Sequence, residues 1–192
     1  MKAIETALEG LLILEPKVFG DSRGFFLESW NERSFQAATG SSLRFVQDNH
    51  SRSSHGVLRG LHYQRVQPQG KLVRVTSGSV WDVAVDIRIG SPSFGQSMAC
   101  ELSAENHRQL WIPPGFAHGF LVLSESADFL YKTTDYWFPE HERSLRWNDP
   151  ALGIAWPLER LRDPNPLLAA KDAFARTLAD LKIAGELPNF AV

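Results

Sequence analysis

The chain has 192 residues, enough for one domain with a sizeable core. Hydrophobic residues make up 43% and charged residues 22%, an ordinary balance for a globular protein. Lys and Arg number 20 against 22 Asp and Glu, so a net charge of −2 without a basic stripe speaks against a nucleic-acid partner.

The single cysteine, Cys100, rules out an intrachain disulfide and fits a reducing compartment. The first residues, MKAIETALEG, lack the apolar core of a signal peptide. No run approaches the roughly 18 apolar residues of a membrane helix. The chain therefore reads as soluble and cytoplasmic, with no membrane partner.

In chain order, residues 11–19 (LLILEPKVF) read as a strand broken at Pro16. GDSRG follows as a turn, and residues 25–30 resume as strand. Asn31 reads as the N-cap of a short helix, ERSFQAAT, with Gly40 as its stop. From residue 45 nearly everything reads as strand. In residues 57–64, alternation places Leu58, Gly60, His62 and Gln64 on one face and Val57, Arg59, Leu61 and Tyr63 on the other. Residues 71–77 and 79–88 flank Gly78 and read as a hairpin. In the second of these, Trp81, Val83, Val85 and Ile87 face one way and Asp82, Ala84, Asp86 and Arg88 the other. Residues 94–102, 109–112, 116–124 and 128–137 are further strands, separated by the turns GSPSFG and PPG.

Short strands cut by Gly and Pro turns imply a mainly β sandwich or barrel with few, peripheral helices. Beyond Trp156 the composition shifts to a proline-rich approach and then a helical pattern. There Phe174, Leu178 and Leu181 recur at i, i+4 and i+7. The expected organisation is one domain over residues 1–192, a β body over about 8–157 with a helical tail over 158–192 packed back onto it.

Six histidines make a metal the first chemistry to test. PPGFAHGF resembles the second motif of cupins, in which His118 would be a ligand. The first motif of metal cupins needs His-x-His and then Glu on one strand. The equivalent strand here reads RGLHYQ, where Arg59 stands three before His62, and a permanently protonated guanidinium cannot be a ligand. The expectation is therefore no metal. Without one, His62 is a candidate general base, Lys71 a candidate cation for a developing oxyanion, and Tyr131 a candidate proton donor. Arg23 and Arg59 suit an anionic ligand such as phosphate through their forked donors. Each has a structural alternative: a satisfied strand histidine, a lysine snorkelling at a strand end, a tyrosine packing its ring.

GDSRGFFLESWN, FVQDNHSRSSHGVLRGLHYQ, GKLVRVTSGSVWDVAVDIRIGSPSFG, IPPGFAHGFLVLSESADFLYKTTDYW and RWNDPALGIAWP, taken together and in order, resemble the dTDP-4-dehydrorhamnose 3,5-epimerase family. AAKDA (residues 169–173) gives a weaker echo in the tail. The resemblance implies a metal-free, cofactor-free cupin-type jelly roll that inverts carbons 3 and 5 of dTDP-4-dehydro-6-deoxy-D-glucose for dTDP-L-rhamnose biosynthesis.

The resemblance also assigns roles. His62 matches the base, Tyr131 the proton donor, Lys71 the lysine beside the keto oxygen and Asp172 the carboxylate paired with the histidine. Arg23, Glu28, Gln47, Asp48, Asn49, Arg59, Lys71, His118, Glu142 and Lys171 match positions that bind the dTDP-sugar. It further implies a homodimer, in which residues 11–19 and the block around Arg23 would add to a partner's sheet by strand exchange. Two alternatives stay open. One is a relative that epimerises a single carbon or isomerises the keto group. The other is a cupin that binds a nucleotide sugar without turning it over.

Overall fold

The computed structural model describes residues 1–190. The N-terminal elements are β1 (Lys2–Glu5), β2 (Leu12–Glu15), β3 (Val18–Asp21), β4 (Gly24–Leu27) and α1 (Glu32–Thr39). The body continues through β5 (Gln47–Ser54), β6 (Val57–Gln64), β7 (Lys71–Ser77), β8 (Ser79–Asp86), β9 (Ser97–Ser103), β10 (Gln109–Ile112), β11 (Phe116–Val122), β12 (Ser126–Thr133) and β13 (Glu142–Ser144). The tail holds β14 (Leu167–Leu168), α2 (Ala170–Ala173) and α3 (Leu178–Ile183). No helix among the described residues is long and apolar enough to cross a membrane.

Two sheets face each other in the expected mainly β, cupin-type jelly roll. One runs β1-β2-β10-β7-β12-β5, and the other β13-β6-β11-β8-β9 with β14 alongside β6. Alternation along each strand divides the apolar residues into layers. Val73, Val75, Val80, Ala84, Leu110, Phe116, Phe120 and Phe129 fill the space between the sheets. Leu58, Leu61, Val83, Val85 and Ile87 point outward from the second sheet and are covered by Leu178, Leu181 and Leu187 of the tail. Phe35 of α1 covers Leu14, Leu72 and Trp111 on the outer face of the first sheet. The tail thus packs on the second sheet.

The helix α1 forms as its ends dictate: the Asn31 side chain accepts from the Ser34 N–H, and Gly40 closes the last turn. The two faces expected for residues 79–88 are observed, with Asp82 and Ala84 inward and Val83 and Val85 outward.

Four local expectations are corrected. Gly78 does not make a hairpin, because β7 lies in the first sheet and β8 in the second. It is a corner where the chain changes sheets, at φ +74, and a Cβ there would sit 2.0 Å from the Ser126 carbonyl oxygen. The faces of β6 also change part-way. Its register against β11 pairs His62 with His118 but Arg59 with Phe120, a shift of one residue. Gly60 and Gly119 permit that irregularity, since a Cβ on Gly60 would lie 2.6 Å from the Gly119 Cα. Val57, Arg59 and His62 therefore share the inner side, while Leu58, Leu61 and Tyr63 face outward.

Third, the tail is not one helix. Phe174 is 86% exposed, and a new helix starts at Thr177, whose side chain and Asp180 form a capping box. Fourth, residues 12–15 pair with β10 of their own sheet. Among the described residues only the hairpin of β3 and β4 stands apart as a two-stranded unit, with Phe19, Phe25 and Phe26 more than half exposed.

Candidate active site

One cleft of about 590 Å³ opens at one end of the space between the sheets. Both sheets build it. β6 contributes Val57, Arg59 and His62. β5 contributes Gln47 and Asn49, β7 begins with Lys71, and β12 contributes Tyr131. Glu142 of β13 and Leu167, Leu168, Lys171 and Asp172 of the tail complete the wall. On β7 and β12 strand alternation turns the site residues inward: Lys71 shares its face with Val73 and Val75, and Tyr131 stands opposite Asn49 in the ladder.

His62 Nε2 lies 2.6 Å from Asp172 Oδ1. The Gly60 N–H donates to the other carboxylate oxygen at 3.3 Å, and the Ser144 hydroxyl donates to Oδ1 at 3.4 Å. Burial alone would raise the Asp172 pKa. The His62 hydrogen bond and charge, the Gly60 N–H and Lys171 outweigh it and hold the carboxyl below its usual range. Asp172 is thus an ionised carboxylate behind the imidazole. It fixes Nε2 as a donor and leaves Nδ1 as the nitrogen able to take a proton.

Lys71 is pulled down to about 8 by burial, with Glu142 and Asp82 holding it up and Lys171 pushing it further down. It is an ammonium at neutral pH, with little water around its charge. Tyr131 is pushed above its ordinary value by burial and by Glu142, against Arg59. Its phenol keeps its proton at neutral pH. The Arg59 Nε donates to the Ser53 hydroxyl at 3.0 Å, which orients the guanidinium. Gln47 Nε2 donates to Asn49 Oδ1 at 2.9 Å and Gln47 Oε1 accepts from the Trp137 N–H at 3.1 Å, so these polar side chains are held in place. At the rim Lys171 Nζ meets Glu142 Oε2 at 2.8 Å.

Nine of the residues expected at the site meet in this cleft: His62, Tyr131, Lys71, Asp172, Gln47, Asn49, Arg59, Glu142 and Lys171. Four do not. Arg23 is at the tip of the β3–β4 hairpin, exposed and paired with Asp21. Glu28 follows that hairpin, exposed, and accepts from the Asn31 amide. Asp48 alternates outward between Gln47 and Asn49 and pairs with Lys132 at 2.8 Å. His118 lies beneath the cleft, buried against Asp82. The sequence reading missed Gln69 and Trp137 on the cleft wall and Ser53, Ser144 and Asp82 behind it. Asp82 carried a signal, a carboxylate on the inward face of a strand. The others carried none. Among the described residues no three His, Cys, Asp or Glu side chains cluster as metal ligands.

The sequence profile described as dTDP-4-dehydrorhamnose 3,5-epimerase matches residues 5–180. The chain belongs to the dTDP-4-dehydrorhamnose 3,5-epimerase family. A family member from Pseudomonas aeruginosa is 62% identical over 94% of this chain and 97% of its own length. One from Salmonella typhimurium is 59% identical over 93% and 96%. The crystal structure of a 3,5-epimerase from Legionella pneumophila, in complex with dTDP-4-keto-L-rhamnose, superposes with a TM-score of 0.94 at 54% identity. It covers 100% of this chain and 99% of that one.

Proposed function

We propose that this epimerase inverts carbons 3 and 5 of dTDP-4-dehydro-6-deoxy-D-glucose to give dTDP-4-dehydro-L-rhamnose, by removing and returning protons beside the ketone. The observation that carries the mechanism is the placement of His62 and Tyr131. The base stands on the second sheet and the phenol on the first, both on one cleft. Inversion needs a base and an acid on opposite faces of the sugar ring, since return from the same face restores the starting configuration.

The carbons flanking a ketone lose protons more readily than ordinary sugar carbons, because the charge passes to oxygen. His62 Nδ1 takes the proton, and Asp172 stabilises the imidazolium that results. Lys71 holds the enolate oxygen; an ammonium short of water interacts with it more strongly than a solvated one. Tyr131 returns a proton from the other side. Arg59 and Lys171 are the cleft cations suited to the diphosphate. Because His62 belongs to the body and Asp172 to the tail, body and tail act as a single unit.

The reading extends to a homodimer in which the β3–β4 hairpin crosses to a partner and delivers Arg23 and Glu28 to its cleft. The exposed Phe19, Phe25 and Phe26 support this. It also extends to a cytoplasmic enzyme whose product is used in glycans such as lipopolysaccharide.

The test is to supply dTDP-4-dehydro-6-deoxy-D-glucose and identify the product by NMR. The expected product is inverted at both carbons, with turnover lost in His62→Ala. A product inverted at carbon 3 alone would favour a one-carbon epimerase.

A further inference from the structure

Beneath the cleft lies a second imidazole–carboxylate pair that the mechanism above leaves unused. His118 on β11 is the ladder partner of His62 on β6 and is 7% exposed. Its Nε2 stands 3.1 and 3.0 Å from the two oxygens of Asp82 on β8, whose side chain is wholly buried. Among the described residues Asp82 makes no other side-chain hydrogen bond. A carboxylate shut off from water remains ionised only beside a cation or strong donors. The His118 ring is also fixed from its face, stacked on Phe129, which stacks on Phe120 and meets Tyr131.

Other charged and polar groups share this environment. Asp82 and Glu142 are the two carboxylates acting on Lys71, against the cation of Lys171. On the next strand Cys100 faces Asp82, and burial pushes its thiol up to about 12, so it stays neutral there despite Arg108.

We infer that Asp82 is a positioning residue of this reaction: gripping His118 Nε2 with both oxygens, it fixes that imidazole under the cleft. The inference rests on the epimerase reading. Asp82 acts on the enolate through the orientation of His118 and the charge of Lys71, touching no substrate itself.

Asp82→Asn keeps the volume and one acceptor for Nε2–H and removes only the charge. The folded variant is expected to lose kcat about tenfold or more while KM changes little. The alkaline limb of its kcat profile should move down by roughly one pH unit, because Lys71 loses one of its two supporting carboxylates. A folded variant with wild-type kcat and an unmoved alkaline limb overturns the inference. A second measurement uses the wild-type protein, in case the variant does not fold. Nitrogen-15 NMR of labelled histidines should find a proton on the His118 Nε2, directed at Asp82. An Nε2 without a proton overturns the inference equally. Failure of the epimerase reading would appear separately, as wild-type protein that inverts neither carbon.

Discussion

His62 Nε2 and Asp172 Oδ1, 2.6 Å apart, join β6 to a tail helix 110 residues later in the chain. The contact exists only when the tail is docked, and docking depends on Leu178, Leu181 and Leu187 against the second sheet. Asp172→Asn should leave that docking intact and remove the charge that stabilises the imidazolium. Steady-state kinetics should show kcat reduced by about 100- to 10,000-fold, with little change in circular dichroism. Near-normal kcat in the folded variant would remove Asp172 from the base.

In the proposed mechanism Lys71 sets an alkaline limit on turnover. Its ammonium persists below about pH 8 and is lost above it, so kcat should fall about tenfold per unit beyond that point. Tyr131 is shifted upward and does not account for that limb. Glu142→Gln removes a charge that supports the ammonium, and the limb should move to lower pH. The effect on stability has its own sign. Between about 8 in the folded chain and an ordinary value of 10.5, the unfolded chain holds the proton and the folded one does not, so this group's contribution to stability grows as pH rises through that window.

Much of this site was legible before any coordinates, and the gaps have physical causes. Strand alternation sufficed for the inward placement of Asp82 and Ala84 and for the strands carrying His62, Lys71 and Tyr131. It failed for the faces of β6, because one irregular residue against β11 brings Arg59 and His62, three apart, to the same side. It failed at Gly78 because a glycine between two strands marks a sheet-to-sheet corner as readily as a hairpin. The helical spacing of Phe174 with Leu178 and Leu181 was misleading. The T-x-x-D box at Thr177 starts the helix after Phe174. The contact of Asp172 with His62 was legible only by resemblance, since nothing local in AAKDA implies a partner 110 residues away.

Arg23, 87% exposed at the side chain, has no place in its own chain's cleft. If the hairpin crosses to a partner, mixing Arg23→Ala with His62→Ala protomers should restore part of the activity, because a hybrid dimer contains one cleft with both residues intact. Mixtures no more active than either variant alone would mean that the hairpin does not complete a neighbouring site.

Asp86 holds Arg88 and the loop that follows its own strand. It is wholly buried, and burial pushes its pKa up. Hydrogen bonds from Arg88 at 2.8 and 2.7 Å and from the Ser91 and Ser93 hydroxyls outweigh that and hold it at about 2. The same guanidinium lies over the rings of Phe116 and Phe190. A depressed carboxyl stabilises the fold above its unfolded pKa, here 3.8, and that contribution disappears as pH falls through about 2. Asp86→Asn should therefore cost about 2 kcal/mol in denaturant unfolding at neutral pH. The difference from wild type should shrink towards pH 2; a difference that is constant with pH would contradict the assignment.

Proton transfer by His62 and Tyr131 from opposite walls of one cleft can be followed by isotope exchange. dTDP-4-dehydro-6-deoxy-D-glucose is incubated in heavy water with wild type, His62→Ala and Tyr131→Phe, and each carbon is followed by NMR. The wild type should place deuterium at carbons 3 and 5 with inversion, and His62→Ala should exchange neither. Tyr131→Phe keeps the ring and loses the donor, so it should wash deuterium into the sugar while forming much less inverted product. Inversion without deuterium at either carbon, or inversion of both carbons by Tyr131→Phe at the wild-type rate, would contradict the account.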